Sequence, residues 1–315
     1  MTLFVETMLQ YLIILLDDTS TSFCHYENNK SVRRLMSIET LRRGIRFGMM
    51  ENLMIQFVYP DYELPQEYAE VIESIDHSKI KPICSGADVV VLNGISEVAT
   101  DAPVVLRTSK KELATLVDAL MELMDKTPRL NIVLTDVESF SNDDFSAYKI
   151  VLEKLSKKTE QMYVAGKSPQ LNLLTDRMML SAMNNCGAGD TTITLAPNGK
   201  FYVCPGFCYD DESDCIGDLE NGLDIKNKQL YRLDHAPICS HCDAYQCKRC
   251  VWLNRKTTLE VNTPSHEQCV LAHLERNASR NLLQNIRKHG TFLPEQEDIN
   301  EINYLDPFDN RDDWQ

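Results

Sequence analysis

Cysteine is the residue type in this chain whose number and spacing indicate chemistry. The sequence has 11 cysteines in 315 residues, and only Cys24 and Cys84 precede residue 180. An odd number concentrated in one segment, in a chain that begins without a secretory signal pattern, favours metal ligation over a disulfide framework. The other nine are Cys186, Cys204, Cys208, Cys215, Cys239, Cys242, Cys247, Cys250 and Cys269.

The densest cysteine group has four thiols within the twelve residues from Cys239 to Cys250. Deprotonated sulfurs at that spacing need a metal to neutralise them, so these are not ordinary buried side chains. The gap of four residues between the two CxxC pairs is short for one tetrahedral zinc. Dense cysteine runs with distant partners suit iron–sulfur clusters better. Zinc, disulfides and free thiols remain the alternatives at this point.

The other cysteine group surrounds a predicted β-hairpin. Two strand-like stretches, Thr191–Leu195 and Lys200–Val203, are joined by a Pro-Asn-Gly turn at 197–199. A hairpin at this place brings Cys186 and Cys204 close together, as a shared metal requires.

Secondary-structure elements must position these cysteines. In the first half of the sequence, predicted strands and helices alternate. The apolar stretch Tyr11–Leu16 has the composition of a strand covered on both faces. Such alternation indicates βαβ units and a parallel sheet, either open and doubly wound or closed into a partial barrel. Further strands are predicted at Leu53–Tyr59, Ala87–Leu92, Val104–Arg107 and Leu130–Leu134, and helices at Ser37–Met50, Pro65–Ile75, Ser109–Met124, Asp143–Lys158 and Ser265–His289.

Composition and charge argue against several classes of function. The net charge is −15, whereas a nucleic-acid-binding surface needs a basic face. The apolar run at Tyr11–Leu16 is too short to span a bilayer, so neither a nucleic acid nor a membrane is expected as a partner, and a cytoplasmic location is expected. Phosphate-binding loops of the GxGxxG and GxxxxGK[ST] types do not occur in the sequence.

The cysteine spacing resembles that of the SPASM domain, the C-terminal module of many radical SAM peptide-modifying enzymes. Twelve residues separate Cys186 from Gly199, and four separate Gly199 from Cys204. The two CxxC pairs and, 18 residues beyond them, Cys269 complete the pattern, with two inner gaps one residue shorter than in the family. The resemblance covers about residues 180–275 and implies two [4Fe–4S] clusters.

The same resemblance implies a ligand set for each cluster. One cluster would take Cys186, Cys204 and Cys250 with a fourth ligand. That ligand is either Cys208 or Cys215. Cys208 is favoured because it is closer to Cys204 in the sequence. A vacant fourth position would leave an iron open to substrate. The other cluster would take Cys239, Cys242, Cys247 and Cys269. No catalytic residue is identified.

The first half then resembles a radical SAM partial barrel without its SAM chemistry. The family places C-x3-C-x2-C just after the first strand, where this chain has Ser20, Cys24 and Glu27. Its second-strand motif GGEP, which binds the SAM amino group, corresponds here to the sequence YPDYE at 59–63. One cysteine, one serine and one glutamate do not supply the three thiolates of a SAM-binding cluster. The resemblance implies that SAM is neither a cofactor nor cleaved reductively.

A radical SAM-like body that keeps the SPASM cysteines and lacks the SAM cluster resembles the CXXX repeat peptide maturases. This resemblance extends to about residue 290. It implies an α/β fold with a degenerate radical SAM-type partial (β/α) barrel at 8–175. A small cysteine-rich SPASM-like α+β domain at 180–275 follows, then the end of a C-terminal helix and an acidic tail at 276–315.

The function implied by this resemblance is maturation of a ribosomally synthesised, Cys-rich peptide through auxiliary iron–sulfur clusters. The partners would be the precursor peptide and a second maturation protein. The alternative is a non-enzymatic peptide-binding scaffold, or an electron-transfer partner of a separate enzyme, with structural metal sites. The missing triad disfavours an active radical SAM enzyme. Aromatic side chains in the tail, at Tyr304, Phe308 and Trp314, would dock on the body or on a partner.

Overall fold

The computed structural model describes residues 9–95, 98 and 100–299. It has mixed α/β architecture, and nine of its strands belong to a mostly parallel sheet. The strands in the described residues are β1 (Tyr11–Leu15), β2 (Met54–Val58), β3 (His77–Lys81), β4 (Val89–Asn93), β5 (Val104–Thr108), β6 (Arg129–Leu134), β7 (Gln170–Leu171), β8 (Thr192–Leu195), β9 (Phe201–Tyr202), β10 (Gly217–Asp218) and β11 (Gly222–Leu223).

Two long helices and several shorter ones accompany the strands. The α-helices in the described residues are α1 (Ile38–Met50), α2 (Gln66–Ile72), α3 (Lys110–Thr115), α4 (Val117–Lys126), α5 (Asn142–Val164), α6 (Thr175–Met179), α7 (Pro205–Asp210), α8 (Val251–Thr258) and α9 (His266–Arg287). None of the described helices is long and apolar enough to cross a membrane.

The chain divides into two compact units. The first unit runs to Val91 and resumes from Cys186 to Ala236, and the second runs from Leu92 to Asn185 and resumes at Pro237. Each unit therefore contains segments from both halves of the sequence. The domain boundaries predicted from the sequence, at 175–180 and 275–276, follow a different criterion and stay predictions.

The first unit is built on β1, which pairs in parallel with β2 on one side and with β8 on the other. Leu12 lies in register with Ile55 and with Ile193. Every β1 residue after Tyr11 is buried, which is the pattern of a strand covered on both faces. The hairpin predicted at 191–203 is confirmed, because β8 and β9 pair antiparallel with Thr194 opposite Tyr202.

Helix α1 packs closely against this part of the sheet. Ser37 caps its N-terminus by accepting a hydrogen bond from the Thr40 backbone N–H, and the buried Gly44 and Gly48 face the strands. A β-carbon at Gly48 would lie 2.8 Å from the Ile55 side chain. The glycines therefore allow an approach that larger residues would prevent.

The second unit contains β5, β6 and β7 in parallel order, together with the long helices α5 and α9. Both helices begin with a capping box, formed by Ser141 and Asp144 in α5 and by Ser265 and Gln268 in α9. The capping box predicted at Ser265 is thus confirmed. The helices are joined by a 2.7 Å hydrogen bond from the Tyr148 hydroxyl to Glu275.

The structure differs from the predicted elements at three places. Strand β3 was not predicted, because only Ile80 among its five residues is buried and apolar. The single helix predicted at Ser109–Met124 is two helices, α3 and α4, which meet at Leu116. A short helix, α7, follows Cys204, where the sequence analysis predicted no element. The aromatic residues named in the acidic tail lie outside the described residues.

Candidate metal centres

The cysteines of the second unit lie on a mostly irregular segment and on α9. Cys239 begins a single 3-10 turn that ends at His241. Cys242 and Cys247 follow it, Cys250 occupies the N-cap position of α8 without a side-chain capping hydrogen bond, and Cys269 lies in the first turn of α9. Little of the segment is regular helix or strand, so its conformation depends on side-chain contacts.

Three thiols of this segment act on one another electrostatically. Burial, and to a smaller extent the neighbouring Cys242, raise the pKa of Cys239 to about 12. Burial raises the pKa of Cys247 more strongly, with added contributions from Cys239 and Cys242. The raised pKa values of Cys239 and Cys247 favour the neutral form of these two thiols. A bound cation is what would hold them as thiolates.

Hydrogen-bond donors and positive charge surround the same three sulfurs. The Ala244 backbone N–H donates to the Cys242 sulfur at 3.4 Å. Arg249 adopts a left-handed backbone with φ of 46°, and its N–H donates to Cys247. The Arg249 side chain is 1% exposed and lowers the pKa of Cys239. Amide donors and a buried guanidinium stabilise anionic sulfur, so this donor set fits a thiophilic metal or cluster.

The segment is anchored to two helices through Asp243. The Asp243 carboxylate forms a buried ion pair with Arg276 of α9, at 2.6 Å. Its backbone carbonyl accepts a 2.7 Å hydrogen bond from Arg177 of α6. The Arg177 guanidinium also lies 4.3 Å from the centre of the Tyr245 ring. These contacts fix the turn that carries Cys242.

His273 joins this group although the sequence analysis missed it. Its ring nitrogen, the Cys242 sulfur and an Asp243 carboxylate oxygen all lie within 4.8 Å of one another. The available signal was the four-residue spacing between Cys269 and His273, which places both on one face of a helix. By contrast His241, between Cys239 and Cys242, is exposed.

The first unit holds the other predicted ligands. Cys204 precedes α7, the Phe207 backbone N–H donates to its carbonyl oxygen at 3.1 Å, and the N–H groups of Gly206 and Phe207 lower the pKa of its thiol. Burial raises the pKa of Cys204, and the exposed Cys186 raises it further, as expected if the hairpin brings the two thiols near one another. The N–H groups at the start of α7 counteract part of this shift.

Cys208 lies in α7, one turn beyond Cys204. Burial raises the pKa of Cys208 to about 11, although the nearby Lys30 and a hydrogen bond from Tyr202 act in the opposite direction. Cys215, which is half-buried, also acts electrostatically on Tyr202. Both competitors for the fourth position therefore lie around one tyrosine, and the choice between them stays a prediction.

The two early cysteines differ in their surroundings. Cys24, in the loop after β1, raises the pKa of Cys204, so it lies within electrostatic reach of the predicted ligands. Cys84 is exposed. Cys250 belongs to the second unit, and its predicted role in the first cluster stays a prediction. The same holds for the other assigned ligands.

Comparison with known proteins supports the fold. The chain matches no known protein-family profile and no curated protein. Native anSMEcpe with bound AdoMet and Cp18Cys peptide has a TM-score of 0.62 and 11% sequence identity, covering 89% of this chain and 99% of that chain. Native anSMEcpe with bound AdoMet and Kp18Cys peptide has a TM-score of 0.60 at 11% identity, covering 88% and 99%.

The matched protein is a radical SAM/SPASM anaerobic sulfatase maturase. Its likeness spans nearly the whole of both chains, so the radical SAM-type α/β fold predicted from the sequence is confirmed. A structural match at 11% sequence identity supports the fold alone. Cofactor and substrate must therefore be inferred from the residues of this chain.

Proposed function

We propose that this chain is a maturation protein for a ribosomally synthesised, Cys-rich peptide, acting through iron–sulfur clusters and without reductive cleavage of SAM. The observation that carries the proposal is the group of Cys239, Cys242 and Cys247, which act on one another electrostatically beside the buried Arg249, with Cys239 and Cys247 removed from water. A radical SAM-type fold with retained cysteines supports it, because matched structures of that fold contain bound peptides.

The ligand sets proposed for the two [4Fe–4S] clusters follow the cysteine pattern. One set is Cys186, Cys204, Cys208 and Cys250, with Cys215 as the alternative to Cys208. The other is Cys239, Cys242, Cys247 and Cys269. Bound clusters would supply electron transfer to or from peptide thiols, or an iron that ligates them. The chain itself supplies the amide donors of Ala244 and Arg249, which stabilise negative charge on the ligating sulfurs.

The loop after β1 supports the proposal that SAM is not cleaved here. Ser20, at the place of a triad cysteine, is fully buried, and its hydroxyl donates to the Val58 carbonyl at 2.9 Å. The same hydroxyl accepts the Asp17 backbone N–H. Both hydrogen bonds of the Ser20 hydroxyl are made within the protein and attach the loop to the sheet. The hydroxyl is therefore poorly placed to serve as a cluster ligand.

Anaerobic purification of the full chain tests the cofactor part of the proposal. We expect a brown protein with about eight iron and about eight sulfide per chain, the content of two [4Fe–4S] clusters. Cys242→Ala should lose about half of the iron, whereas Cys84→Ala, at an exposed cysteine, should lose none. A colourless wild-type protein would refute cluster use.

The activity part is tested with synthetic peptides that have cysteine at every fourth residue. Mass spectrometry of the peptide after incubation with the loaded protein should show a mass change that Cys242→Ala abolishes. Release of 5′-deoxyadenosine from SAM under reducing conditions would contradict the proposal that SAM is not cleaved.

A structural metal site in a non-enzymatic scaffold is the second candidate. The close grouping of Cys242, Asp243 and His273 favours it, because one ion gathers its ligands more tightly than a four-iron cluster does. A colourless protein with one or two zinc ions, which binds the peptide without changing its mass, would establish the scaffold.

A further inference from the structure

We propose that His273 is a ligand of the metal centre in the second unit, bound to the same ion as Cys242. The inference rests on the proposed function in one respect, namely that this unit binds a metal. It departs from the four-cysteine [4Fe–4S] set at this site, because an iron of such a cluster takes one protein ligand, whereas the ion bound by Cys242 would take His273 as well, as in a histidine-ligated two-iron cluster or a zinc site. Helix α9 then contributes to the centre through His273 as well as through the predicted ligand Cys269.

The distance between the two donor atoms fits a shared ion. His273 Nε2 lies 3.8 Å from the Cys242 sulfur. Metal–nitrogen bonds of about 2.0–2.1 Å and metal–sulfur bonds of about 2.3 Å at a tetrahedral angle place the two donors about 3.6 Å apart. Ligands to different irons of one cluster lie further apart, since each iron takes its own protein ligand.

The hydrogen bond of His273 Nδ1 determines that Nε2 is the nitrogen available to bind a metal next to the Cys242 sulfur. His273 Nδ1 lies 2.7 Å from the Cys269 carbonyl oxygen. A carbonyl can only accept, so Nδ1 carries the proton, and Nε2 of the neutral ring presents its lone pair toward Cys242. Metal-binding histidines have this arrangement, with the non-ligating N–H held by a carbonyl or carboxylate.

The ring is held firmly in place. His273 is 3% exposed and lies one helical turn beyond Cys269, in a helix whose start is fixed by the Ser265 capping box. Cys242 is oriented by the Ala244 N–H and by the anchoring of Asp243. Both donors are thus positioned before a metal arrives, which lowers the conformational entropy lost on binding.

Asp243 is the third member of the group, and we assign it a positioning role. One of its carboxylate oxygens forms the 2.6 Å ion pair with Arg276, which is itself 1% exposed. A carboxylate already neutralised by a guanidinium is a weak competitor for a thiophilic metal, whereas thiolate and imidazole are suitable donors. The ion pair holds the backbone next to Cys242.

The consequence for the centre is electronic. Imidazole is neutral, whereas a cysteine ligand carries a negative charge, and histidine ligation raises the reduction potential of iron–sulfur centres. A centre with His273 as a ligand should therefore accept electrons more readily than an all-cysteine one.

Pulsed EPR of the anaerobically purified, dithionite-reduced full-length protein tests the assignment. We expect a strongly coupled nitrogen that changes isotope pattern on labelling with 15N-histidine and is lost in His273→Ala. His241→Ala is the matched control, because this exposed histidine lies in the same segment, and the coupling should persist there. Cys269→Ser should also keep the nitrogen coupling if it retains metal.

His273→Cys keeps the assignment testable where His273→Ala fails to fold or loses its metal. It should retain the centre, lose the nitrogen coupling and lower the midpoint potential. If the wild type holds only zinc, the cobalt-substituted protein is examined by X-ray absorption for the same loss of one nitrogen donor.

Two outcomes would overturn the inference while leaving the proposed function intact. One is a loaded wild-type centre with no nitrogen coupling, or only the weak coupling of an N–H···S hydrogen bond. The other is a strong coupling that persists in His273→Cys. A wild-type protein whose second unit binds neither iron nor zinc would instead overturn both proposals.

Discussion

Glu275 is an acidic residue whose chemistry is strongly altered by burial. Its carboxyl group accepts the Tyr148 hydroxyl at 2.7 Å and lies 3.4 Å from the Gln246 amide nitrogen. Removal from water raises the pKa of Glu275 to about 7, although both hydrogen bonds act in the opposite direction. Its charge also acts on Cys247, so its protonation state is linked to the cysteine segment.

The raised pKa of Glu275 predicts a pH dependence of stability. Between the unfolded pKa of about 4.5 and the folded pKa of about 7, the folded state binds more protons than the unfolded state. The stabilisation is therefore full below the unfolded pKa and is lost as pH rises toward about 7. In the wild type, the free energy of unfolding should therefore fall by about 3 kcal/mol over this pH range. Urea unfolding at several pH values should show that Glu275→Gln removes this decrease.

Glu153→Gln, at an exposed position of α5, serves as the control and should leave the decrease unchanged. A wild-type stability that does not fall between pH 5 and pH 7, relative to Glu275→Gln, would contradict the assignment of a proton to Glu275.

Gly217 and Gly222 provide a second test at single residues. Both have positive φ in the β10–β11 hairpin, but a β-carbon at Gly217 would overlap the Gly222 carbonyl oxygen, whereas one at Gly222 would meet open space. Gly222→Ala should therefore cost only the left-handed backbone penalty of about 1–2 kcal/mol. Gly217→Ala should cost clearly more, as measured by thermal unfolding, and equal losses would refute the steric argument.

At the scale of elements, arginines of two helices hold the cysteine segment 239–250 in place. Arg177 of α6 and Arg276 of α9 both contact Asp243, and Arg249 lies within the segment itself. Buried charges are tolerated when each has a partner, and removing one partner is costly because the other charge is left in a low dielectric.

Arg276→Met should accordingly destabilise the protein by about 3–5 kcal/mol in urea unfolding, because Asp243 is left buried without this partner. Adding Asp243→Asn to it should recover part of the loss. Lys158→Ala, which breaks a solvent-accessible pair with Asp125, should cost about 1 kcal/mol or less. A similar loss in both single variants would mean that burial of the Asp243 pair is unimportant.

Over the whole molecule, the predicted ligands are divided between the two units. Cys186, Cys204, Cys208 and Cys215 belong to the first unit, and the remaining five of the nine clustered cysteines belong to the second. The segment 237–250 contains a single 3-10 turn, and 204–218 contains the short elements α7 and β10, in contrast to the longer strands and helices of the two units. Bound metal should therefore contribute to the order of these segments in particular.

Metal removal should lower the melting temperature and loosen the cysteine segments first. Hydrogen exchange of the metal-free protein should increase within 204–218 and 237–250, whereas β1 and β2, which have buried apolar residues, should stay protected. The measurement compares the same preparation before and after anaerobic chelation. An unchanged melting temperature after complete removal would show that the metal is not structural.

Much of the fold could be predicted because its signals are local. The buried run at β1, the β8–β9 turn and the Ser265 capping box each depend on residues close together in sequence. Strand β3 could not be predicted, since His77, Lys79 and Lys81 give it a polar pattern and only its pairing with β2 makes it a strand. Such pairing is a tertiary interaction.

The sequence by itself determined the identity and spacing of the cysteines, and with them the class of chemistry that we propose, because residue type and gap length are properties of the chain. The tertiary structure alone decided what surrounds the sulfurs. His273 is 31 residues from Cys242, and Arg276 is 33 residues from Asp243, yet both pairs are in contact. Contacts over such distances arise from packing α9 against the cysteine segment, and no local pattern encodes them.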